Sequence, residues 1–250
     1  MKDLENKIAL ITGGSSGIGR ATTLAFAKRG AKVVIGSRRI AESEETLELV
    51  KAAGSEGISV QTDVSNSAEI EALVNQAVSA YGRIDYAFNN AGIEGIFSPL
   101  VEQTEENWDS VININLKGVW LSLKYEILQM LKQGGGAIVN NSSIAGLIGF
   151  PDAAAYVASK HGVIGLTKTA ALEYAKSGIR VNAVSPAVIA TDMVDRAFGD
   201  EGKAQMAAAH PIGRIGRVEE VAEAVVWLCS DAASFVTGQS LAVDGGYTTQ

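Results

Sequence analysis

The chain has 250 residues, 47% hydrophobic and 20% charged, which supplies material for a large core and excludes a disordered class. Its 28 acids against 21 lysines and arginines leave a formal net charge of −7, which argues against a nucleic-acid partner. The single cysteine, Cys229, excludes a disulfide framework; no run approaches the ~20 apolar residues that span a bilayer, and the first residues lack the basic head and apolar stretch of a secretion signal, so no membrane contact and a cytoplasmic location are expected.

In chain order, the first half alternates short runs rich in Ile and Val with longer segments that are apolar at three- and four-residue spacing. Strands are expected at 7–12, 31–36, 58–62 and 84–88, and helices at 17–30, 40–53 and 66–81, with Asp63, Val64 and Ser65 supplying a cap for the third helix. One long helix at 105–132 follows, then a strand at 137–141, a helix at 154–177, a strand at 180–184, a helix at 218–229 and a last strand at 240–243. Cys229 falls in the apolar run of 218–229 and reads as core. Repeated β-α units with right-handed crossovers give one α/β domain over 1–250, a doubly wound parallel sheet of seven strands with helices on both faces. Ligands in such a sheet sit outside the carboxyl ends of the strands.

Directly after the first strand comes Thr12-Gly13-Gly14-Ser15-Ser16-Gly17-Ile18-Gly19, which opens into a helix. Backbone amides there can approach a pyrophosphate closely while the helix N-terminus faces it, so Gly13, Ser15, Ser16 and Ile18 are candidate dinucleotide contacts. The spacing of Gly13, Gly17 and Gly19 departs from the common G-x-G-x-x-G pattern. At the end of the second strand an acid would accept from a ribose hydroxyl and repel a phosphate; this chain has Ser37, Arg38 and Arg39, a set that suits the 2′-phosphate of NADP(H). Asp63, beside Val64, can accept from an adenine amino group.

Tyr156-Val-Ala-Ser-Lys160 places a phenol and an ammonium one helical turn apart. A cation close to the phenol would draw its pKa down from its ordinary value near 10 toward the range useful for general acid-base work. His161 projects to another face and reads as structural.

Together the glycine loop TGGSSGIG, the segment Asn89-Asn90-Ala91-Gly92, Asn115 in INLKG, Ser143 in NNSSIAG, the Tyr156 and Lys160 pair and Thr191 in IATDM resemble the short-chain dehydrogenase/reductase family, with matches in order from Lys7 to Tyr247. The resemblance implies a Rossmann-type oxidoreductase. Tyr156 would give a proton to a carbonyl oxygen that Ser143 polarises, Lys160 would hold the ribose hydroxyls and lower the tyrosine pKa, and Asn115 would anchor a water linking the lysine to solvent. Asn90, Ala91 and Gly92 would lie along the cofactor, and Pro186, Ile189 and Thr191 would fix its carboxamide. Two departures stand out: Ala187 follows Pro186 where members commonly have glycine, and Asn141 stands where an apolar residue is frequent.

The expected substrate walls are 144–150, 94–97 and 188–211, the last a mobile lid carrying Met193, Val194, Phe198 and Met206, with Gly199 and Gly202 inside it. Mostly apolar walls point to hydrophobic ketones and aldehydes and their alcohols. The alternatives are a 3-oxoacyl thioester of acyl carrier protein, whose reductases usually carry Thr-Arg-Asp where this chain has Glu94-Gly95-Ile96, a sugar or polyol, and a non-catalytic NADP sensor or scaffold. The resemblance further implies a homotetramer packed through 105–132 and 154–177, and a magnesium ion held by the terminal carboxylate between subunits.

Overall fold

The computed structural model describes residues 3–249, the side chains of 197–200 excepted. Strand β1 (Ile8–Thr12) is buried along its whole length. Alternate residues serve opposite layers: Ala9 and Ile11 pack with Phe26 and Val225, while Ile8 and Leu10 pack with Leu73, Leu123 and Val163. An apolar run without a polar face needs cover on both sides, which a parallel sheet between two helical layers supplies.

Strands β2 (Lys32–Ser37), β3 (Gly57–Gln61), β4 (Tyr86–Asn89), β5 (Gly136–Asn141), β6 (Ile179–Pro186) and β7 (Ser240–Val243) complete the sheet. The order is β3-β2-β1-β4-β5-β6-β7, parallel throughout. Helices α1 (Gly17–Lys28), α2 (Ile40–Ala52) and α8 (Val218–Cys229) cover one face. The other carries α3 (Ser67–Tyr81), α5 (Gly118–Gln133) and α6 (Ala154–Tyr174), with α4 (Glu105–Ile112) against α6. The order reverses between β1 and β4, and the crevice at such a switch point is where ligands bind.

The structure corrects two expectations and adds a helix to a third. The helix expected over 105–132 is divided: a π turn at Asn113–Lys117 separates α4 from α5 and re-aims Asn115, the kind of widened turn found at functional sites. The cap of α3 is Asn66, which accepts from the Ala68 amide at 3.0 Å, because Asp63 is occupied by the amide and hydroxyl of Ser65 at 2.9 and 2.7 Å. The segment expected as a mobile lid contains helix α7 (Asp192–Ala209), capped by Thr191 and started by Asp192 and Asp195, whose charge suits a helix N-terminus. The Phe198 side chain, part of that expectation, lies outside the described ones.

A buried polar chain runs beneath the carboxyl ends of β4 and β5. Asn89 Nδ2 donates to Glu126 Oε2 at 2.9 Å and to Asn140 Oδ1 at 3.0 Å, and Asn140 Nδ2 donates to Thr167 at 2.9 Å. Glu126 Oε1 and Asn89 Oδ1 are buried without a partner among the described residues, and a proton on the carboxyl turns one of these two stranded acceptors into a donor. Burial pushes Glu126 up to about 7 from its ordinary 4.5. The folded state therefore holds this proton more tightly than the unfolded chain. The contribution to stability is fully present below pH 4.5 and is lost as pH rises through about 7. Glu126→Gln keeps the shape and removes the titration, so in denaturant unfolding it should match the parent near pH 4 and exceed it by up to about 3 kcal/mol near pH 9. Identical pH dependence in the two proteins would contradict this.

Candidate active site

A cleft of about 850 Å³ opens along the carboxyl ends of the strands. Its floor begins at the glycine loop, where Gly13 and Gly17 take left-handed backbone angles of φ 69° and 51° that side chains rarely adopt. Ser16, the cap of α1, makes no side-chain bond to the helix, leaving the first amides of α1 for a ligand. Its hydroxyl is taken by Arg39, whose Nη2 donates to Ser16 at 2.5 Å and to Ser15 at 3.0 Å. Ser37 donates to Ser15 at 2.9 Å and accepts from the Arg39 amide at 3.2 Å. Arg38 and Arg39 both line this end of the cleft. The Arg39 guanidinium thus braces the phosphate loop, a contact set by the register at the end of β2 that a sequence does not display.

Every residue expected to touch the cofactor lines this one cleft: Gly13, Ser15, Ser16, Ile18, Ser37, Arg38, Asp63, Val64, Asn90, Ala91, Gly92, Tyr156, Lys160, Pro186, Ile189 and Thr191. Asn90 ties its two sides together, since its Nδ2 donates to the Thr12 and Gly13 carbonyls at 3.2 and 3.3 Å. Thr191 lines the cleft and also caps α7.

Tyr156 and Lys160 sit on the inner face of α6, with Lys160 Nζ 5.5 Å from the centre of the phenol ring. Lys160 is 4% exposed and donates to the Asn141 carbonyl at 2.7 Å. Asn141 Nδ2 in turn donates to Asn90 Oδ1 at 3.0 Å, so a continuous hydrogen-bond chain joins the lysine to the glycine loop. In the sequence Asn141 stands out only as a departure; a polar pair, Asn140-Asn141, ending an otherwise apolar strand is the available signal. Its Oδ1 is buried and without a partner among the described residues, a polar atom facing a ligand-sized cleft.

One electrostatic expectation is corrected. The phenol of Tyr156 is raised, not lowered: burial is the largest cause, the Ser143 hydroxyl opposes it and the Glu94 charge adds to it. Lys160 does not reverse this, because burial drives its own pKa down to about 8 and its proton is directed at the Asn141 carbonyl. Asn115 does not line the cleft. It is 1% exposed and grips Ile93, accepting from the amide and donating to the carbonyl, both at 2.8 Å. Its carboxamide is committed to holding the loop after β4.

Ser143 caps a short turn, accepting from the Ala145 amide at 3.1 Å, and faces the same space as Tyr156. The cleft then widens between Phe97, Phe150, Met193, Val194 and Met206, so parts of all three expected walls are present. His161 lies outside it, exposed and bonded to the Val157 carbonyl at 3.0 Å. Cys229 is buried, its thiol pushed up to about 12, as an inert core residue would be. Among the described residues no group of three or more His, Cys, Asp or Glu could hold a metal ion, and the terminal carboxylate invoked for magnesium belongs to Gln250, outside them.

Residues 13–248 match a family model described as enoyl-(acyl carrier protein) reductase. A cyclohexanol dehydrogenase of Acinetobacter sp. (strain SE19) is 45% identical over 245 residues, 98% of this chain and 96% of that protein. The chain belongs to the short-chain dehydrogenase/reductase family. Two solved structures of this family's kind superpose closely. A xylitol dehydrogenase with NAD+ bound gives a TM-score of 0.94 at 34% identity, covering 97% of this chain and 99% of that one. A chain titled ElxO with NADP bound gives 0.92 at 36%, covering 98% and 99%. As a short-chain dehydrogenase/reductase, the protein is an oxidoreductase of alcohols and ketones that uses a nicotinamide cofactor. The loop amides, the left-handed glycines and the unpartnered Asn141 Oδ1 fit such a group.

Proposed function

We propose that the protein reduces small, largely apolar ketones and aldehydes with NADPH and oxidises the corresponding secondary alcohols. The observation that carries this reading is one cleft joining an arginine-flanked phosphate loop to the Ser143, Tyr156 and Lys160 cluster beneath apolar walls. The similarity to a cyclohexanol dehydrogenase supports a ring ketone and its alcohol as the substrate pair.

The bound nicotinamide supplies or accepts the hydride. The side chains supply placement and the proton. Gly13, Ser15, Ser16 and Ile18 hold the pyrophosphate end, Asp63 and Val64 the adenine end, and Ser37, Arg38 and Arg39 the 2′-phosphate. Asn90, Ala91 and Gly92 lie along the middle, Lys160 takes the ribose hydroxyls, and Pro186, Ile189 and Thr191 hold the carboxamide. Ser143 donates to the substrate oxygen, and Tyr156 Oη passes its proton to that oxygen as the carbonyl carbon becomes the alcohol carbon. A phenol raised by burial is protonated at neutral pH and ready to donate. Asn115 acts through Ile93 as a positioning residue, and α7 closes the substrate side as a lid. Exposed apolar side chains at Trp108, Trp120, Leu128 and Leu172 on α4, α5 and α6 support assembly into a homotetramer through those helices.

Cofactor choice tests the reading directly. Replacing Arg38 and Arg39 together by Ala removes the charge-assisted bonds to a 2′-phosphate, so the ratio of kcat/KM for NADPH over NADH in cyclohexanone reduction should fall by about tenfold or more. A parent enzyme that favours NADH, or a ratio untouched by the double change, would contradict the NADP assignment.

A further inference from the structure

Among mostly apolar substrate walls stands a partly buried carboxylate that the reaction does not use. Glu94 lines the cleft with its side chain 25% exposed, in the loop that follows β4. That loop is built around it. On one side Asn115 grips Ile93 at both amide and carbonyl. On the other, Asn107 accepts from the Ile96 amide at 2.8 Å and donates to its carbonyl at 3.1 Å. Between them Gly95 turns at φ 73°, and a Cβ there would lie 2.5 Å from Val111 Cγ2. Two asparagine clamps and an obligatory glycine thus fix the backbone of a single outward residue and aim it into the substrate space.

Across the cleft, Arg196 of α7 approaches Glu94 at 3.5 Å, and with the arginine side chain 64% exposed the pair is an open one that leaves the carboxylate lone pairs for another donor. The charge is close enough to the reacting centre to raise the Tyr156 phenol. A carboxylate that loses its water to an entering apolar ring is strongly disfavoured, whereas one that gains a hydroxyl donor is satisfied.

We propose that Glu94 is a specificity-determining residue that accepts a hydrogen bond from a second hydroxyl of the substrate, so that the preferred substrates are diols and hydroxyketones with an apolar ring body. This rests on the alcohol and ketone reading above and narrows it. Asp152 and Asp192 also line the cleft, but both are exposed and stay hydrated whichever substrate enters.

The test compares kcat/KM for 1,4-cyclohexanediol and cyclohexanol, with the absorbance of reduced nicotinamide as readout, in the parent, Glu94→Leu and Arg196→Ala proteins. The parent should favour the diol by about tenfold or more. Glu94→Leu should erase that preference mainly by raising the rate with cyclohexanol, a gain that a misfolded protein does not produce. Arg196→Ala, which leaves the carboxylate in place, should keep or increase the preference. A parent ratio near unity, or a preference that survives Glu94→Leu, overturns the assignment of Glu94 alone. Absence of turnover with both alcohols and both cofactors overturns the reaction itself and this assignment with it.

Discussion

Replacing Tyr156 by Phe is expected to lower kcat for ketone reduction by about a thousandfold while leaving cofactor affinity within about threefold of the parent. The ring still packs on α6 and Lys160 still donates to the Asn141 carbonyl, so only the proton donor is lost. Burial makes the phenol a weaker acid than tyrosine in water, and the sign of its pH effect follows. Reduction, which needs the protonated phenol, should hold from neutral into alkaline pH. Alcohol oxidation, which needs it ionised, should climb with pH over the same range. A Tyr156→Phe protein with reduction at full speed, or with the parent's climbing oxidation profile, would remove Tyr156 from the chemistry.

Gly19→Ala is expected to have the second largest effect, a loss of cofactor affinity of about a hundredfold, because small displacements in such a cradle are costly. Gly19 is helical and needs no unusual backbone angle, so its requirement is one of contact. A Cβ there would lie 2.1 Å from the Gly13 carbonyl oxygen and 2.7 Å from Asn90 Nδ2. Both are fixed groups, and Asn90 Nδ2 itself bonds that carbonyl. The methyl must therefore push the glycine loop from the loop after β4 and undo the tie between the two sides of the cleft. Titration of the reduced cofactor by its fluorescence reads this directly. Affinity within about twofold of the parent, in a protein with unchanged circular dichroism, would show that the loop does not cradle the cofactor in this way.

The sheet was legible because its strands are apolar without alternation, which marks burial on both faces and limits the architecture. The phenol and ammonium at Tyr156 and Lys160 were legible because helical spacing alone puts them together. What escaped depends on tertiary placement. The role of Asn115 follows from a π turn that no periodicity announces, and its grip on Ile93 links residues 22 apart in sequence. Asn141 acts on Lys160 through a backbone carbonyl, an atom every residue carries. The direction of the Tyr156 shift does not show in the sequence, since spacing to a lysine is visible there while desolvation is not. Helix α7 lies in the segment expected as a lid, where Gly199 and Gly202 weigh against a helix and the Thr191 cap and a run rich in alanine offset them.

The central claim is that one cleft couples hydride transfer on a nicotinamide to proton transfer at a side-chain hydroxyl. Its most direct test is the stoichiometry of alcohol oxidation by the purified parent protein with NADP+ and cyclohexanol in weak buffer carrying a pH indicator. Reduced cofactor, cyclohexanone and released protons should appear in equal amounts. A protein that binds NADP+ saturably and yields none of the three with this alcohol or with 1,4-cyclohexanediol would contradict the account.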